Sequence, residues 1–391
     1  MLTLGSYSLL YSLQCSKCGR DYDPQQLNTF STCCNKPLIA NYDLDPGFSK
    51  MDIDKDDNTM WRYHPMLPLI NKKNKISLGE GMTPVLQLHN LAKKYALPQL
   101  FMKDESLNPT GSFKSRGLSV AVSKAKEMGV RSCIVPTAGN AGGALSAYCA
   151  KAGIEATVIM PSHTPKIFQQ ECELYGAQVI LAEGLISDCG RLAKKLQQDK
   201  EFFDMSTLKE PYRLEGKKTM GYEIAEQFNW QLPDVIVYPT GGGTGLIAIW
   251  KAFKEMIAMG WISNKLPKMI AVQAENCQPI VYSWKGMHEN ASRYKGNASV
   301  ANGLAVPNPF GEDLIVQTLS ESSGYALAVT EHEMISGVKE IAGSEGIFVS
   351  PEGAAAWNGL LKLVKAGSID SNEKILLLNT GSGYKYLENI F

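Results

Sequence analysis

The chain has 391 residues, with 39 basic and 39 acidic side chains and therefore a formal net charge of zero. A length of this order predicts two or three structural units. The balanced charge gives no electrostatic case for nucleic-acid binding, and the chain has no apolar run of about 18 residues that would predict a membrane span. The opening 15 residues lack a cationic start and a small-residue cleavage site, so we expect no signal peptide and a cytoplasmic protein.

Four of the nine cysteines lie near the N-terminus, as Cys15-x2-Cys18 and the pair Cys33 and Cys34. This arrangement looks like a zinc ribbon with an altered second knuckle, because Ser31 stands where its first cysteine is expected. Two adjacent thiolates chelate one tetrahedral ion poorly. The pattern therefore leaves open a structural zinc site on these four cysteines, a metal-free remnant and a redox pair. The other five cysteines are scattered singly, and we expect them to be buried small hydrophobic residues.

After the N-terminal segment, short apolar runs alternate with amphipathic stretches. The predicted strands are Cys133–Pro136, Thr157–Met160, Val179–Leu181, Val235–Tyr238, Ile270–Gln273 and Ile375–Leu378. The predicted helices are Ser119–Met128, Gly142–Ala152, Lys166–Tyr175 and Cys189–Gln198. Apolar runs that are bounded by Gly and Pro and separated by helices are typical of buried parallel strands in βα units. We therefore expect an α/β fold with two open twisted sheets flanked by helices.

Three glycine-containing turns follow predicted strands, at residues 135–140, 238–245 and 378–383. In open α/β sheets, ligands bind where such turns lead from a strand into a helix. The second turn contains Gly241, Gly242, Gly243, Thr244 and Gly245. Its backbone N–H groups can converge on one anion together with the positive end of the following helix dipole. This turn is neither a P-loop nor a dinucleotide fingerprint, and it predicts a site for a phosphorylated small molecule.

The segment Asn108-Pro-Thr-Gly-Ser-Phe-Lys114 resembles the lysine segment of fold-type II pyridoxal-phosphate enzymes at all seven positions. The resemblance implies that Lys114 holds the aldehyde of pyridoxal 5'-phosphate as a Schiff base and then moves protons. It also implies that the phosphate-binding turn at 241–245 holds the phosphate of this cofactor.

Two further turns resemble segments of the same family. Thr137-Ala-Gly139-Asn140 is similar to the asparagine loop, which implies that Asn140 contacts the phenolic oxygen of the cofactor and that Thr137 and Gly139 hold the substrate carboxylate. Thr380-Gly-Ser-Gly383 is similar to the segment whose hydroxyl faces the pyridine nitrogen. A neutral hydroxyl at that place suits elimination and replacement rather than transamination.

The segment Pro211-Tyr-Arg213-Leu-Glu-Gly-Lys-Lys218-Thr resembles a segment of the threonine synthases, and this resemblance covers about residues 75–391. It implies conversion of O-phosphohomoserine and water to threonine and phosphate, the last step of threonine biosynthesis. It also implies that Arg213 contacts the substrate phosphate, which a guanidinium grips with two parallel hydrogen bonds. We expect Arg213, Lys218 and Lys103 to hold this phosphate, in that order.

Three departures from the family pattern loosen the substrate assignment, namely Ser115, Ala138 and Glu210. A carboxylate such as Glu210 is unfavourable beside a phosphate unless it points away or pairs with Lys209. Two alternatives with the same cofactor therefore stay open, a serine/threonine dehydratase and a β-replacement enzyme similar to cysteate synthase. A non-catalytic metabolite-binding relative is the third alternative.

The motif order predicts three parts of the chain. Residues 1–45 form the zinc-ribbon-like segment, residues 46–117 and 213–391 form a large cofactor-binding α/β domain, and residues 118–212 form a small α/β domain. The expected partner is a small-molecule substrate, with neither nucleic acid nor membrane, and the resemblance implies a homodimer.

Overall fold

The computed structural model describes residues 7–44, 48–287 and 294–390. The strands are β1 (Leu10–Cys15), β2 (Asp21–Tyr22), β3 (Leu38–Tyr42), β4 (Val85–Gln87), β5 (Leu100–Asp104), β6 (Ser132–Pro136), β7 (Glu155–Pro161), β8 (Gln178–Ala182), β9 (Phe203–Asp204), β10 (Val235–Pro239), β11 (Lys268–Ala274), β12 (Tyr325–Val329) and β13 (Ile375–Asn379). The α-helices are α1 (His89–Tyr95), α2 (Lys114–Glu127), α3 (Asn140–Ala152), α4 (Lys166–Leu174), α5 (Ile186–Asp199), α6 (Tyr212–Gln227), α7 (Thr244–Ala258), α8 (Pro279–Trp284), α9 (Glu312–Glu321), α10 (Glu331–Glu345), α11 (Pro351–Lys365) and α12 (Leu387–Ile390). Short 3₁₀ helices occupy Lys50–Asp52, Met60–Met66, Lys72–Asn74, Glu105–Leu107, Pro109–Gly111 and Gly383–Tyr386.

The strands of the described residues form three sheets. The first contains β1, β2 and β3 in the order β2-β1-β3, and all its pairs are antiparallel. The second has the order β12-β11-β10-β13-β5-β4 and is parallel except for its edge strand β4. The third has the order β8-β7-β6-β9 and is parallel throughout. The expected α/β fold with two open, helix-flanked sheets is therefore confirmed.

Buried apolar residues explain the position of the central strands. Every residue of β10 and β13 is buried, as expected for strands covered by helices on both faces. In the four-stranded sheet, Ile134 and Ile159 pack with Cys189 and Ala193 of α5. Their strand neighbours, such as Val135, point to the opposite face and belong to the main core. The alternation of side chains along each strand thus gives this sheet two covered faces.

Both larger sheets reverse their strand order at one place. In the six-stranded sheet the chain runs outward from β10 through β11 to β12, and β13 then pairs with the other side of β10. In the four-stranded sheet it runs from β6 through β7 to β8, and β9 then pairs with the other side of β6. Ligands bind at the carboxyl ends of the strands at such switch points. The expected sites are therefore the turns that follow β6, β9, β10 and β13.

Helix α2 begins five residues before the predicted Ser119, at Lys114. Its first turn, Lys114-Ser-Arg-Gly, carries no apolar stripe, so hydrophobic periodicity could not reveal it. Within the described ranges, every helix is too short or too polar to span a bilayer. The domain boundaries stay predictions, and the one between residues 45 and 46 lies outside the described residues.

Helices α2 and α6 cross in close contact, and glycines at the crossing make this possible. A Cβ atom added to Gly216 of α6 would lie 2.0 Å from the backbone oxygen of Arg116 on α2. One added to Gly117 would lie 2.7 Å from the backbone oxygen of Arg213. Real Cβ atoms do not approach backbone oxygens this closely. The spacing between the helix of Lys114 and the helix of Arg213 therefore depends on these two glycines.

We expect Gly216→Ala to lower the free energy of unfolding by about 1–3 kcal/mol, because the added methyl group must push the two helices apart. The measurement is denaturant unfolding. The control is Gly343→Ala in α10, where an added Cβ would meet no atom within 4 Å. This control should be neutral or stabilising by up to about 1 kcal/mol, since alanine favours a helix interior. Equal stability of the Gly216→Ala protein and the wild type would contradict the tight crossing.

Candidate active site

A cavity of about 460 Å³ lies at the carboxyl ends of strands from both larger sheets. Its walls include the turns after β6 and β10, the segments after β9 and β13, and the start of α2. Most of the site residues predicted from the sequence line it: Lys114, Thr137, Gly139, Asn140, Arg213, Gly241, Gly242, Gly243, Thr244, Gly245 and Thr380. Both topological switch points therefore open onto the same space.

The turn at 241–245 forms a cradle of backbone N–H groups. Within the described residues, none of its five N–H groups donates to a protein acceptor. Gly243 has a φ of +70°, which favours glycine. A Cβ on Gly241 would lie 2.1 Å from the oxygen of Gly303, and one on Gly245 would lie 1.8 Å from the hydroxyl of Tyr238. The glycines let neighbouring groups close around the turn while its donors face the cavity.

Lys114 is the first residue of α2, and its partly buried side chain lines the cavity. Within the described part of the chain its Nζ makes no hydrogen bond or ion pair, and it lies 4.1 Å from the ring centroid of Phe113. Burial and the positive charge of Arg213 lower the pKa of Lys114 to about 7, while Glu352 acts in the opposite direction. A substantial fraction of this amine is therefore uncharged, and hence nucleophilic, near neutral pH.

Asn140 and Thr380 present further polar groups to the cavity. Asn140 begins α3, and its Oδ1 is buried without a hydrogen-bond partner among the described residues. Thr380 directly follows β13, and its side-chain hydroxyl has no protein partner in the described ranges. In the asparagine loop, Thr137 Oγ1 accepts a 3.2 Å hydrogen bond from the backbone N–H of Gly139. Unpartnered buried groups cost free energy unless a ligand satisfies them.

Arg213 is a buried cation with unused hydrogen-bonding capacity. Only 1% of its surface is exposed, and its Nη1 donates to the backbone oxygen of Met205. Its Nε and Nη2 have no acceptor among the described residues. Burial lowers the pKa of the guanidinium, and the carboxylates of Glu210 and Asp204 oppose this shift. Two free N–H edges on a buried guanidinium form a site for a bidentate anion such as phosphate.

The family model described as "Pyridoxal-phosphate dependent enzyme" matches residues 76–381. The chain belongs to this family. It is similar to the threonine synthase of Methanocaldococcus jannaschii, with 36% identity over 377 residues that cover 95% of this chain and 92% of that protein. It is also similar to the threonine synthase of Methanosarcina acetivorans, with 34% identity over 376 residues that cover 95% and 91% of the two chains.

Among solved structures, a hydrogen sulfide-producing enzyme from Fusobacterium nucleatum has the same fold, with a TM-score of 0.64 at 21% identity over 78% of this chain and 97% of that one.

The residues of the cavity fit the cofactor of the pyridoxal-phosphate dependent enzymes. The cradle at 241–245 offers unused N–H donors, which suit a phosphate group. Lys114 offers an unpaired amine, which suits an aldehyde. Asn140 and Thr380 offer polar groups without protein partners, which suit the heteroatoms of a pyridine ring. The four features line one cavity large enough for a small-molecule ligand.

Glu210 does not line the cavity, and its carboxyl group is bound by backbone N–H groups, which removes a conflict raised by the sequence. Its Oε2 accepts hydrogen bonds from the backbone N–H groups of Tyr212, at 2.8 Å, and Arg213, at 3.0 Å. The carboxyl group therefore caps the start of α6. Burial raises its pKa to about 7, although the charge of Arg213 opposes the shift. A carboxyl group in this position satisfies a helix end and leaves the two free N–H edges of Arg213 available.

Lys103 and Lys218 do not line the cavity, unlike the other residues predicted to bind the cofactor or the substrate. Lys103 Nζ donates to Thr83 O and Gln227 Oε1, and it lies 3.0 Å from Glu223 Oε2. Lys218 Nζ pairs with Glu215 at 2.7 Å and with Glu255 at 3.0 Å. Both side chains are fully buried, with carboxylates around them. We therefore leave both lysines out of the phosphate site proposed below.

The neighbouring residue Lys217 does not line the cavity either, but it packs against Phe113, which does. Its Nζ is 5.2 Å from the ring centroid of Phe113, and within the described residues it forms no hydrogen bond or ion pair. Burial and the positive charges of Arg213 and Lys114 hold the pKa of Lys217 well below its usual range. The sequence analysis missed this residue, and its only signal was its place beside Lys218 in the motif.

The residues of the cavity wall that the sequence analysis missed include Glu352, Tyr386 and Asn302. Glu352 stands in the first turn of α11, and Tyr386 ends the 3₁₀ helix that follows the turn after β13. Asn302 has a buried Nδ2 without a partner in the described part of the chain. Tyr386 could have been suspected from its closeness to Thr380, but Glu352 and Asn302 belong to no motif.

We expect the amine of Lys114 in the cofactor-free protein to titrate near pH 7. Its pKa is depressed, so the charged form predominates below that pH and the reactive neutral form above it. Arg213→Gln removes a nearby positive charge and should therefore raise the midpoint. The measurement is the pH dependence of Lys114 labelling by an amine reagent, resolved by peptide mass spectrometry. In the control Arg131→Gln, an exposed residue before β6 is changed and the midpoint should stay in place. An ordinary lysine titration in the wild type would contradict the prediction.

Proposed function

We propose that the protein is a threonine synthase that converts O-phosphohomoserine and water to threonine and phosphate. The observation that carries this proposal is the buried guanidinium of Arg213, whose Nε and Nη2 have no protein partner among the described residues. The N–H cradle at 241–245 serves the phosphate of the cofactor, so Arg213 is a second anion site in the same cavity. A substrate with its own phosphate needs such a second site. The similarity to proteins named threonine synthase supports the same choice.

Different residues of the cavity bind the different groups of the cofactor and the substrate. The cradle at 241–245 holds the cofactor phosphate, Asn140 faces the phenolic oxygen, and Thr380 faces the ring nitrogen. Thr137 and Gly139 hold the substrate carboxylate, and Arg213 holds the substrate phosphate. Bound at Lys114, pyridoxal 5'-phosphate supplies the electron sink that makes the Cα and Cβ hydrogens of the substrate acidic.

Lys114 Nζ moves the protons of the reaction. A lysine with a pKa near 7 can take a proton from carbon and return it at neutral pH. The balance requires that Cα and Cβ each lose a proton and that the Cγ–O bond breaks as phosphate departs. Cγ then gains a proton, water adds its oxygen to Cβ, and Cα regains a proton. Arg213 stabilises the negative charge that grows on the departing phosphate.

The alternatives from the sequence fit the cavity less well. A serine/threonine dehydratase has no use for the two free N–H edges of Arg213, because its substrates carry no phosphate. A cysteate synthase-like enzyme would use them for another anion. A non-catalytic relative has no use for an unpaired lysine whose pKa lies near 7. We place the protein in the cytoplasm, as the sequence composition predicts. We also expect a homodimer, which the resemblance to the threonine synthases implies.

We expect the purified protein, loaded with pyridoxal 5'-phosphate, to release phosphate from O-phosphohomoserine and to form threonine. Lys114→Ala should abolish turnover. Arg213→Gln should lower kcat/KM about 100-fold, since it removes charge-assisted hydrogen bonds to the leaving group. The measurement is coupled phosphate release with amino-acid analysis of the product, and Arg131→Gln is the matched control. Turnover of serine or threonine without any turnover of O-phosphohomoserine would overturn the proposal in favour of a dehydratase.

We also propose that Cys15, Cys18, Cys33 and Cys34 bind a structural zinc ion. Their four Sγ atoms all lie within 4.8 Å of one another, and a tetrahedral zinc with Zn–S distances of about 2.3 Å requires Sγ separations of about 3.8 Å. Backbone turns around the cysteines bring the four Sγ atoms close together. Gly19 N donates to Cys15 O at 3.0 Å, and Asn35 N donates to Ser31 O at 2.9 Å.

Ser31, at the expected cysteine position, supports this cluster without being one of its ligands. Its buried Oγ lies 3.3 Å from Cys15 Sγ and accepts a 3.0 Å hydrogen bond from Lys36 N. A hydroxyl beside a thiolate can donate to the sulfur and orient it toward the metal. Tight turns and a fixed Cys15 sulfur thus help to hold the four thiol groups together.

We expect one zinc ion per chain in metal analysis of the full-length protein. Cys15→Ser should lose the metal, because it removes a ligand, and should lower the melting temperature as a chelator does in the wild type. The control is Cys189→Ser, which changes a buried cysteine of α5 that packs against the four-stranded sheet. A wild-type protein that is free of zinc, even after reconstitution under reducing conditions, would refute the site.

A further inference from the structure

Within the described residues, Glu352 is the only acidic side chain that lines the cavity. It is the second residue of α11, after the N-cap Ser350, and 5% of its surface is exposed. A buried carboxylate is costly unless hydrogen bonds and opposite charges compensate it. The start of a helix favours the ionised form. A buried carboxylate among the cations of the site therefore needs an explanation. The reaction steps described above assign no function to Glu352.

The two carboxylate oxygens of Glu352 have different environments. Oε1 accepts hydrogen bonds from Gly303 N, at 2.9 Å, and from the hydroxyl of Tyr386, at 2.9 Å. Oε2 is buried and has no partner in the described part of the chain. An ionised carboxylate can only accept hydrogen bonds, so the Tyr386 hydroxyl must donate its one proton to Glu352. Only the lone pairs of that hydroxyl remain for its other neighbour.

That other neighbour is Asn140. Its Nδ2 lies 3.4 Å from the Tyr386 hydroxyl, which can only accept here. The amide of Asn140 must therefore turn its NH₂ group, and not its oxygen, toward Tyr386. Without such a constraint, the two orientations of an asparagine amide differ little in shape. The orientation matters because the second N–H of Nδ2 is then the group that can donate to an acceptor in the cavity.

We propose that Glu352 is a positioning residue that fixes the amide of Asn140 through Tyr386 and presents its free Oε2 as the counter-charge to Lys114. We call Glu352, Tyr386 and Asn140 the relay. The proposal goes beyond the function proposed above, and it rests on that function only in taking the cofactor to be the acceptor that Asn140 faces.

The charge balance around Lys114 gives Glu352 its second effect. The positive groups near Lys114 are Arg213 and Lys217 of α6, and Glu210 caps the same helix beyond Arg213. The negative group is Glu352 of α11, and the Tyr386 hydroxyl is kept neutral by burial, which raises its pKa well above the usual range. Removal of the Glu352 charge leaves Arg213 acting on Lys114 without the carboxylate that opposes it there, while Glu210 and Asp204 still act on Arg213 itself. The pKa of Lys114 should then fall below its wild-type value.

The substitution Glu352→Gln separates this role from a purely structural one. Glutamine keeps the shape of the side chain, and with its oxygen at the place of Oε1 it can still accept from Gly303 N and from Tyr386. It removes the charge, and it replaces a group that can only accept hydrogen bonds by an amide that can also turn its NH₂ group toward Tyr386, so the direction of the relay is no longer fixed. Tyr386→Phe removes the hydroxyl that connects Glu352 to Asn140 and leaves the charge of Glu352 in place.

The chain contains a matched control pair outside the cavity. Tyr95 donates to Glu340 Oε1 at 2.6 Å, and Trp357 Nε1 donates to Glu340 Oε2 at 2.9 Å. Glu340→Gln and Tyr95→Phe therefore make the same chemical changes in another Glu–Tyr hydrogen bond. Neither residue lines the cavity. Any effect that comes only from loss of a partly buried glutamate or a tyrosine hydroxyl should also appear in these two variants.

The experiment has two measurements. In the cofactor-free protein, Glu352→Gln should lower the pH midpoint of Lys114 labelling, whereas Tyr386→Phe and both controls should leave it within error. In the protein loaded with pyridoxal 5'-phosphate, Glu352→Gln and Tyr386→Phe should each shift the pH dependence of the visible absorbance band. The double variant should shift this pH dependence no further than the larger of the two single shifts, because the relay acts as one unit.

The outcomes distinguish this proposal from the proposed function. A wild-type spectrum and an unchanged Lys114 midpoint in Glu352→Gln, with only a lower melting temperature, would overturn the positioning role. Fully additive spectral shifts would overturn the relay. If the wild type formed no visible band with added pyridoxal 5'-phosphate, the function proposed above would fail. The labelling of Lys114 would still show whether Glu352 is its counter-charge.

Discussion

The geometry of the site depends on one buried ion cluster below the cavity. Arg116, two residues after Lys114, pairs through Nε with Glu105 and through Nη1 with Glu223, each at 2.5 Å, and all three side chains are fully buried. Glu105 follows β5, and Glu223 lies on the helix of Arg213. The cluster therefore fixes the lysine loop, α2 and α6 relative to one another. Removal of one partner from such a cluster typically costs about 3–5 kcal/mol, because a buried charge is left unpaired.

Helix α6 carries both cations that are paired with carboxylates and cations that are not. On α6, Lys218 is held by Glu215 and Glu255, and Glu223 is occupied by Arg116 and Lys103. Among the described residues, no carboxylate forms an ion pair with Arg213, which lines the cavity, or with Lys217, which packs against Phe113 of the cavity wall. The protein therefore pairs the other buried cations of this helix and leaves these two positive charges at or beside the cavity. In the described part of the chain no acceptor competes for the free N–H edges of Arg213, which suits the substrate phosphate that we propose binds there.

The sequence was sufficient to bring together, in one cavity, the motifs that stand at the ends of strands, while the roles of their residues stay predictions. The lysine segment, the asparagine loop, the cradle at 241–245 and Thr380 are of this kind, and parallel strands bring such turns to one edge of a sheet. It was insufficient for α6, because this helix is buried on all sides from Tyr212 to Ala225 and shows no amphipathic stripe. The pattern could not decide which of Lys217 and Lys218 packs against Phe113 of the cavity wall and which is paired with carboxylates. Glu352 was out of reach because it acts through contacts with distant segments.

The contacts of Glu352 with distant parts of the chain involve residues 303–310, the segment that covers the cradle at 241–245. Gly303 O lies against Gly241, and Gly303 N is held by Glu352. A few residues later, Phe310 packs edge-on against Phe30 of the zinc-ribbon-like segment, with ring centroids 5.6 Å apart. Lys36 of the same segment pairs with an aspartate at the start of α9. The covering segment is thus fixed from α11 on one side and from the N-terminal cysteine-containing segment on the other. The segment around the four cysteines is therefore connected to the cradle at 241–245 through these contacts, although none of the cysteines in the described residues lines the cavity.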